Sequence, residues 1–462
     1  MPEIHPIAIL IVGMITVVGM IVVLRLNAFL ALISAALIVS LLSPGETATK
    51  ISRVAEAFGS TAGSIGIVIA LAAIVGKAML DSGAADRVVR MFLAWLGVER
   101  GPAALMASGF VLSVPVFFDT VFFLLLPLAR SMYQRTGRHY LKYLMVVSAG
   151  AAITHTLVPP TPGPLVIAGT LGVDLGLMML VGLLVALPSA VVGFLFSGWL
   201  DRRMPVPLRT EASGVPETEP VEDRQLPGLL PSLLPILLPV LLISANTIVS
   251  TLARGEGDAP GAWSMAAPYA SLVGNANLAL LLSAAIALWV YYAQRKPTPT
   301  ELARSVEEAL MSAGVIILIT AAGGAFGAML RAAEIGPAIG GLFPARAGAP
   351  GMILLALAFG VASLLKIAQG SSTVAMITAS GMIAAMVADP GTLRFHPVYL
   401  ATAIASGSLV GSWMNDSGFW IYTKMGGLTE VEALRSWTPL LALLGLAGMG
   451  TTVILALVMP LV

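Results

Sequence analysis

Acidic and imidazole side chains stand in parts of the sequence that are otherwise almost entirely apolar. Asp119 and Asp416 are the carboxylates set deepest in apolar runs, and His155 lies just before a proline-rich break. A charged Asp within a membrane span costs roughly 2.5–3.5 kcal/mol on insertion scales, so it usually faces a cavity or a partner. Histidine titrates closest to neutral pH. We therefore predict that these three residues handle a coupled proton. The alternatives are ion pairs with Lys77 or Lys366 and a packing role for the imidazole.

Hydroxyl and amide side chains lie beside the same breaks and are candidates for binding a small anion. Helix N-termini at such breaks present unpaired amides and partial positive charge, which suit a carboxylate. Each hydroxyl has a simpler alternative role, which is to cap a helix or to bind neighbouring backbone. For Lys366, extension of the ammonium to the outer interface is favoured over attraction of an anion. The predicted substrate-binding residues are Thr120, Thr154, His155, Thr161, Ser371, Ser372, Thr373, Asn415 and Ser417.

The overall composition is that of a membrane protein. Of the 462 residues, 58% are hydrophobic and 11% are charged, whereas soluble globular proteins are about 45–50% apolar and about 25% charged. Lipid must therefore be the solvent for much of the surface. The net charge of +1 argues against a nucleic-acid partner, and the absence of cysteine excludes disulfides and thiolate metal sites. Because no nucleotide-binding motif is present, transport would draw on an ion gradient, and no cofactor or metal is expected.

Four apolar stretches are predicted to differ from plain transmembrane helices. Residues 140–172 contain four prolines between Pro159 and Pro164, where a helix cannot continue because proline lacks a backbone donor and clashes with the preceding turn. Residues 397–424 carry a polar, glycine-containing segment in their middle. Both are predicted to be broken helices that line a cavity or lie buried in protein. Residues 101–130 and 351–387 are predicted to form re-entrant hairpins, because their arms are too short to cross a bilayer.

The order of these features repeats along the chain. Asp119 precedes Gly370, and the first helix break precedes the second, by a common offset of about 250 residues, which indicates an internal duplication. The predicted organisation is a first membrane repeat at 1–200, a hydrophilic linker at 201–228 and a second membrane repeat at 229–462. The predicted fold is thus an all-α polytopic membrane protein with two inverted-topology repeats of five crossings. Each repeat has one re-entrant helical hairpin and one broken helix.

Charged and aromatic residues predict the orientation of this fold. If the N-terminus and the C-terminus both face outward, most Lys and Arg residues fall on the cytoplasmic side, as the positive-inside rule requires. Tryptophans near the ends of spans are expected in the interfacial aromatic belts. These are Trp95, Trp199, Trp263, Trp289 and Trp437.

Several sequence segments indicate a protein family more specifically than composition or spacing does. They are Phe58–Thr61, Ile69–Lys77, Pro115–Asp119, His155–Pro164, Ser406–Ser412 and Asn415–Trp420. In both halves of the chain these segments resemble the gluconate permease (GntP-type) family. The blocks Pro-Val-Phe-Phe-Asp and Asn-Asp-Ser-Gly-Phe-Trp carry most of the resemblance. Trp413 and Thr161 depart from the family pattern, which often has histidine at the first position and sometimes at the second.

The resemblance implies a proton symporter for gluconate or a related compound, such as another sugar acid, glycerate or D-serine. It also implies paired re-entrant hairpins, a homodimer that works as an elevator, and a place in the cell inner membrane. The partners would be a small carboxylate substrate, protons and the lipid bilayer.

Three alternatives to a proton symporter differ in coupling ion or in class. A sodium-coupled carrier of di- or tricarboxylates would share the architecture. A membrane-embedded hydrolase is disfavoured because the sequence has neither HExxH nor GxSxG, so no enzymatic activity is expected. A non-transporting receptor is disfavoured because the one sizeable hydrophilic segment is too short for a signalling domain.

Overall fold

The computed structural model is built from helices. It describes residues 5–24, 26–209, 226–255, 261–335, 338, 349–387, 393–414 and 416–461, so that Asn415 and most of the predicted linker lie outside these ranges. Within them every regular element is helical. The α-helices are α1 (Pro6–Val18), α2 (Ala28–Leu42), α3 (Ser52–Ser82), α4 (Ala84–Leu96), α5 (Gly101–Leu112), α6 (Phe118–Thr136), α7 (Tyr140–Leu157), α8 (Pro162–Leu171), α9 (Leu175–Arg203), α10 (Leu229–Gly255), α11 (Ala262–Val273), α12 (Ala276–Arg295), α13 (Pro299–Ala332), α14 (Ala349–Gln369), α15 (Ser372–Met386), α16 (Val398–Gly407), α17 (Ser417–Met425) and α18 (Glu430–Val458).

Six helical segments of the described chain are long and apolar enough to cross a membrane, which confirms the prediction of a polytopic all-α protein. They are α7 together with α8, then α9, α10, α12, α13 and α18. The helix α3 is a seventh candidate, because its parts Ser52–Ser64 and Gly66–Ser82 meet at a bend of 42°. With 34 residues, α13 is about 51 Å long and exceeds a hydrocarbon core of about 30 Å. It must tilt or project into the headgroups.

The chain interruptions fall where local sequence forbids or ends a helix. The helix α7 ends at Leu157 and α8 begins at Pro162, a first-turn position where the missing N–H of proline has no cost. The side chains of Ser371 and Asp416 cap the N-termini of α15 and α17.

The helix α14 runs over 21 residues, longer than the expected first arm of the second hairpin. Each half therefore contains one hairpin of two helices followed by one interrupted helix.

Close helix packing occurs in the same way in both halves. Gly150 of α7 lies against the carbonyl of Met106 in α5, and Gly407 of α16 lies against the carbonyl of Phe359 in α14. A Cβ added at either glycine would be 2.3 Å from that oxygen. Small residues let helix backbones approach each other closely in a membrane. The first arm of each hairpin is therefore held against the first part of the interrupted helix that follows it.

The last long helix of each half repeats this arrangement. A Cβ on Gly182 of α9 would be 2.3 Å from the carbonyl of Leu157 in α7, and one on Gly445 of α18 would be 2.5 Å from the carbonyl of Ser406 in α16. The two halves then cross-pack: α6 contacts α17, α15 contacts α8, α9 contacts α18, and α3 lies along α13. The second arm of each hairpin thus meets the interrupted helix of the other half, which brings the chain breaks together.

The substitution Gly150→Ala tests this packing. The new methyl group would meet the Met106 carbonyl and the Phe110 amide, so we expect a loss of about 1–3 kcal/mol in stability from overpacking. Gly59→Ala in the exposed part of α3 is the matched control, because nothing lies within 4 Å of its added Cβ and alanine favours the helix. Thermal unfolding of the purified proteins in detergent measures both. Equal melting temperatures for Gly150→Ala and Gly59→Ala would contradict the packing described.

Candidate functional site

A cavity of about 240 Å³ lies where the chain breaks converge. Its walls come from α6 and α7 of the first half and from α13 to α15, α17 and α18 of the second. Among the predicted site residues, seven line it: Asp119, His155, Ser371, Ser372, Thr373, Asp416 and Ser417. The remaining lining residues are Phe117, Phe118, Ala152, Thr156, Ile316, Ile319, Lys366, Val374, Ile377, Leu409, Gly418, Trp437 and Leu441.

Asp416 is held by a buried network at the second helix break. Lys366 donates from Nζ to Asp416 Oδ2 at 2.6 Å and to the carbonyl of Gly370, also at 2.6 Å. The amide of Gly418 donates to Asp416 Oδ1 at 2.9 Å, and the hydroxyl of Ser412 donates to Oδ2. Lys366 is only 1% exposed, so the expectation that its ammonium reaches the outer interface is wrong. An ion-pair partner within reach outweighs snorkelling, because a buried ammonium must be paired.

The Asp119 carboxylate, unlike that of Asp416, makes no hydrogen bond or ion pair with a residue that the structure describes. It lies in the first turn of α6 and interacts electrostatically with both Asp416 and Lys366. No described residue forms a hydrogen bond or ion pair with its carboxylate. The aspartate is half-buried and borders the cavity. The first hairpin thus brings to the cavity a carboxylate that no described residue pairs with directly.

His155 lines the same cavity from the last turn of α7. Its ring centroid is 5.7 Å from that of Phe117, and its Nδ1 atom is buried without a hydrogen-bond partner in the described part of the chain. The next residue, Thr156, also lines the cavity and donates its hydroxyl to the carbonyl of Ala152 at 2.7 Å. A buried polar nitrogen without a partner is costly. His155 therefore remains a candidate for binding a ligand or a proton.

The second hairpin contributes hydroxyl groups at the N-terminus of α15. Ser371 caps this helix by accepting from the amide of Val374 at 3.3 Å, and Ser372 donates to the carbonyl of Ser408 at 2.8 Å. The capping and backbone-binding alternatives therefore hold for these two serines. The hydroxyl groups of Thr373 and Ser417 have no partner among the described residues. They and the N-terminus of α15 are available to a carboxylate.

Three other predicted residues lie away from this cavity. Thr120 lines a neighbouring cavity of about 230 Å³ with Lys77 and Glu308, which are paired at 3.1 Å. Thr154 is buried outside both cavities, and Thr161 donates its hydroxyl to the carbonyl of Val158. Asn415 lies outside the described residues.

Two further residues shape the site: the sequence predicted Lys366 only as an alternative ion-pair partner of the aspartates, and it did not predict Trp437. Trp437 is 2% exposed and donates from Nε1 to the hydroxyl of Ser412 at 2.6 Å, so its assignment to an interfacial belt is wrong. Trp95, in contrast, is 77% exposed, as a belt residue would be. Lys366 had one available signal, since it stands in the last turn of a helix that ends before Gly370, where lysine can bind terminal carbonyls. No comparable local signal marks Trp437.

A polytopic helical protein with a cavity at converging helix breaks, lined by two carboxylates, a lysine, a histidine and several hydroxyl groups, is a membrane transport protein in class. The particular family follows from its sequence: the chain belongs to the GntP family of permeases, whose sequence profile matches residues 5–458. This confirms the resemblance drawn from the motifs.

Individual relatives match over nearly the whole chain. A protein of Pseudomonas aeruginosa named gluconate permease is 33% identical and covers 98% of this chain and 99% of its own length. The inner membrane permease YgbN of Escherichia coli is 30% identical and covers 94% and 95%. Among solved structures, Neisseria gonorrhoeae MtrF, described as an antimetabolite efflux pump, superposes with a TM-score of 0.69 at 15% identity, covering 96% and 98%. At that identity the likeness shows the fold alone. The chain is accordingly a multi-pass inner-membrane permease.

Proposed function

We propose that this permease is a secondary transporter that couples the uptake of gluconate, or of a related small sugar acid, to a proton. The observation that carries the proposal is the Asp119 carboxylate, which no described residue pairs with. It lies in a cavity whose other polar groups suit an anion. Hydroxyl groups of Thr373 and Ser417 and the N-terminus of α15 suit a hydroxylated carboxylate. Relatives named gluconate permease support the substrate class.

Charge balance supports the proton. Asp119, His155, Lys366 and Asp416 are the ionisable residues that line the cavity. Lys366 and Asp416 neutralise each other, so the empty site with neutral histidine carries one negative charge, on Asp119. An anionic substrate would add a second negative charge in a low-dielectric surrounding, which is unfavourable. A proton on Asp119 removes that repulsion, and the loaded site moves with its anion. His155 is placed to donate to the substrate or to pass the proton on.

The proposal includes the full predicted architecture. Residues 1–200 and 229–462 form two inverted-topology repeats of five crossings each, joined by a cytoplasmic linker at 201–228, with both termini outside. The helical hairpins at 101–130 and 351–387 are re-entrant, and the protein works as a homodimer. The repeated order of helices and the glycine–carbonyl contacts shared by both halves support the duplication. The distribution of Lys and Arg supports the orientation.

Uptake by proteoliposomes tests this function. Vesicles that contain the purified protein should accumulate labelled gluconate when the outside is more acidic than the inside, and a protonophore should abolish the accumulation. A panel of other sugar acids, glycerate and D-serine measures the substrate range, with protein-free vesicles as control. Accumulation driven by a sodium gradient at equal pH would indicate a sodium-coupled carrier instead. Accumulation of none of these compounds would refute the proposed substrate class.

A further inference from the structure

The ammonium of Lys366 occupies a site made of oxygen ligands. It lies between the carbonyl of Gly370 and the carboxylate of Asp416, at 2.6 Å from each. The hydroxyl of Ser412 approaches the same carboxylate oxygen. Carbonyls at unwound helix ends together with a carboxylate are the ligands that sodium takes in transporters built on broken helices. The second half of the chain therefore places two oxygen ligands of the kind that sodium takes against the ammonium of a lysine.

Two further features make this position electronegative. Gly370 follows the C-terminus of α14 with φ +83°, in the left-handed region, so its carbonyl lies at the negative end of that helix dipole. Asp416 and its partners are buried from solvent, and the Lys366 side chain is 1% exposed. A cation is thus required here for the hairpin tip and the interrupted helix to stay together. A covalently attached cation meets that requirement permanently.

We propose that Lys366 is a tethered substitute for a mobile sodium ion, and that it sets the ion selectivity of coupling. This inference rests on the proposed transport function and deepens it. Because the ammonium stays attached to the chain and its charge is balanced by Asp416, it stabilises the site without serving as a coupling ion. The mobile coupling ion must then be the one that neutralises Asp119, where the described residues form no group of three or more Asp, Glu, His or Cys side chains that could hold a metal ion. A proton needs no such group.

Removing the ammonium should convert the site to a sodium site. Lys366→Ala leaves the oxygen ligands and vacates space beside them, whereas Lys366→Met removes the charge but keeps that space filled. We expect sodium chloride, compared with choline chloride at equal ionic strength, to raise the melting temperature of Lys366→Ala by about 2–4 °C. Lys366→Met and the wild type should show no sodium-specific change. A sodium gradient at equal pH should drive uptake by Lys366→Ala alone.

Three results of this experiment would overturn the inference. A folded Lys366→Ala protein without a sodium-specific shift would overturn it, as would an equal shift in Lys366→Met. The wild type is decisive without any substitution, since a sodium effect on its melting temperature or uptake would also overturn the inference, even if Lys366→Ala failed to fold. The melting measurement needs no substrate. Failure of the proposed sugar-acid transport would therefore appear only in uptake, separately from the cation result.

Discussion

Asp119→Asn is expected to abolish uptake driven by a pH gradient while leaving the protein folded and inserted in the membrane. Asparagine has nearly the shape of aspartate but cannot take up a proton. Because the Asp119 carboxylate has no hydrogen-bond or ion-pair partner among the described residues, its replacement breaks no contact and should cost little stability. Exchange of labelled for unlabelled substrate across the vesicle membrane should persist, because the neutral side chain resembles the protonated, loaded state.

Asp174→Asn is the matched control for this substitution. Asp174 is exposed and caps α9 by accepting from the amide of Leu177 at 2.9 Å, a role that asparagine fills equally well. Its uptake should therefore match the wild type. Full pH-driven uptake by Asp119→Asn would remove this residue from the coupling mechanism. Loss of exchange in a well-folded Asp119→Asn protein would instead assign it to substrate binding.

Asp416→Asn should cause the largest loss of stability among these substitutions. Asparagine can still cap α17, so the change removes the ion pair with Lys366 together with the hydrogen bond from Ser412. Breaking a buried pair on one side leaves an uncompensated charge and typically costs about 3–5 kcal/mol. The pair is almost completely buried, with side-chain exposures of 1% and 12%. We expect a much lower melting temperature and no uptake, because the hairpin tip is no longer held to the helix break.

The pair Lys424–Glu430 provides the control. Its distance of 2.7 Å is almost the same, but the two side chains are 63% and 42% exposed, and exposed pairs contribute little because water screens them. Glu430→Gln should therefore leave both melting temperature and uptake near wild type. The double variant Lys366→Met with Asp416→Asn should recover much of the lost stability, because no buried charge remains unpaired. A loss in Asp416→Asn no larger than in Glu430→Gln would contradict the account of the buried pair.

The places where helices break could be predicted from the sequence because they depend on local chemistry. Four prolines between Pro159 and Pro164 cannot form a continuous helix in any fold. The placement of Asp119 and Asp416 was predictable for a related reason, since a carboxylate in an apolar run must reach a cavity or a partner. The structure places both at one cavity. Membrane embedding likewise followed from composition alone.

Only the tertiary structure decided which cavity each side chain lines. Each step along a helix rotates the side chain by about 100°, so neighbours in sequence reach different surroundings. Asp119 borders the central cavity while Thr120 lines the neighbouring one, and His155 lines the cavity while Thr154 does not. Packing against neighbouring helices sets that rotation, which therefore cannot be inferred from the residue types of one segment alone.

The direction of Lys366 shows the same limit over a longer distance. A lysine in the last turn of an apolar helix can extend to the interface or turn inward, and the local sequence is compatible with both. Its carboxylate partner, Asp416, stands fifty residues later, across an interhelical break. The sequence thus determined membrane embedding and the positions of the helix breaks, because contact with lipid and the effect of proline depend on each segment separately. The charge pairing of the cavity was determined only when the two hairpins and two interrupted helices packed together, because ion pairs depend on distances between segments.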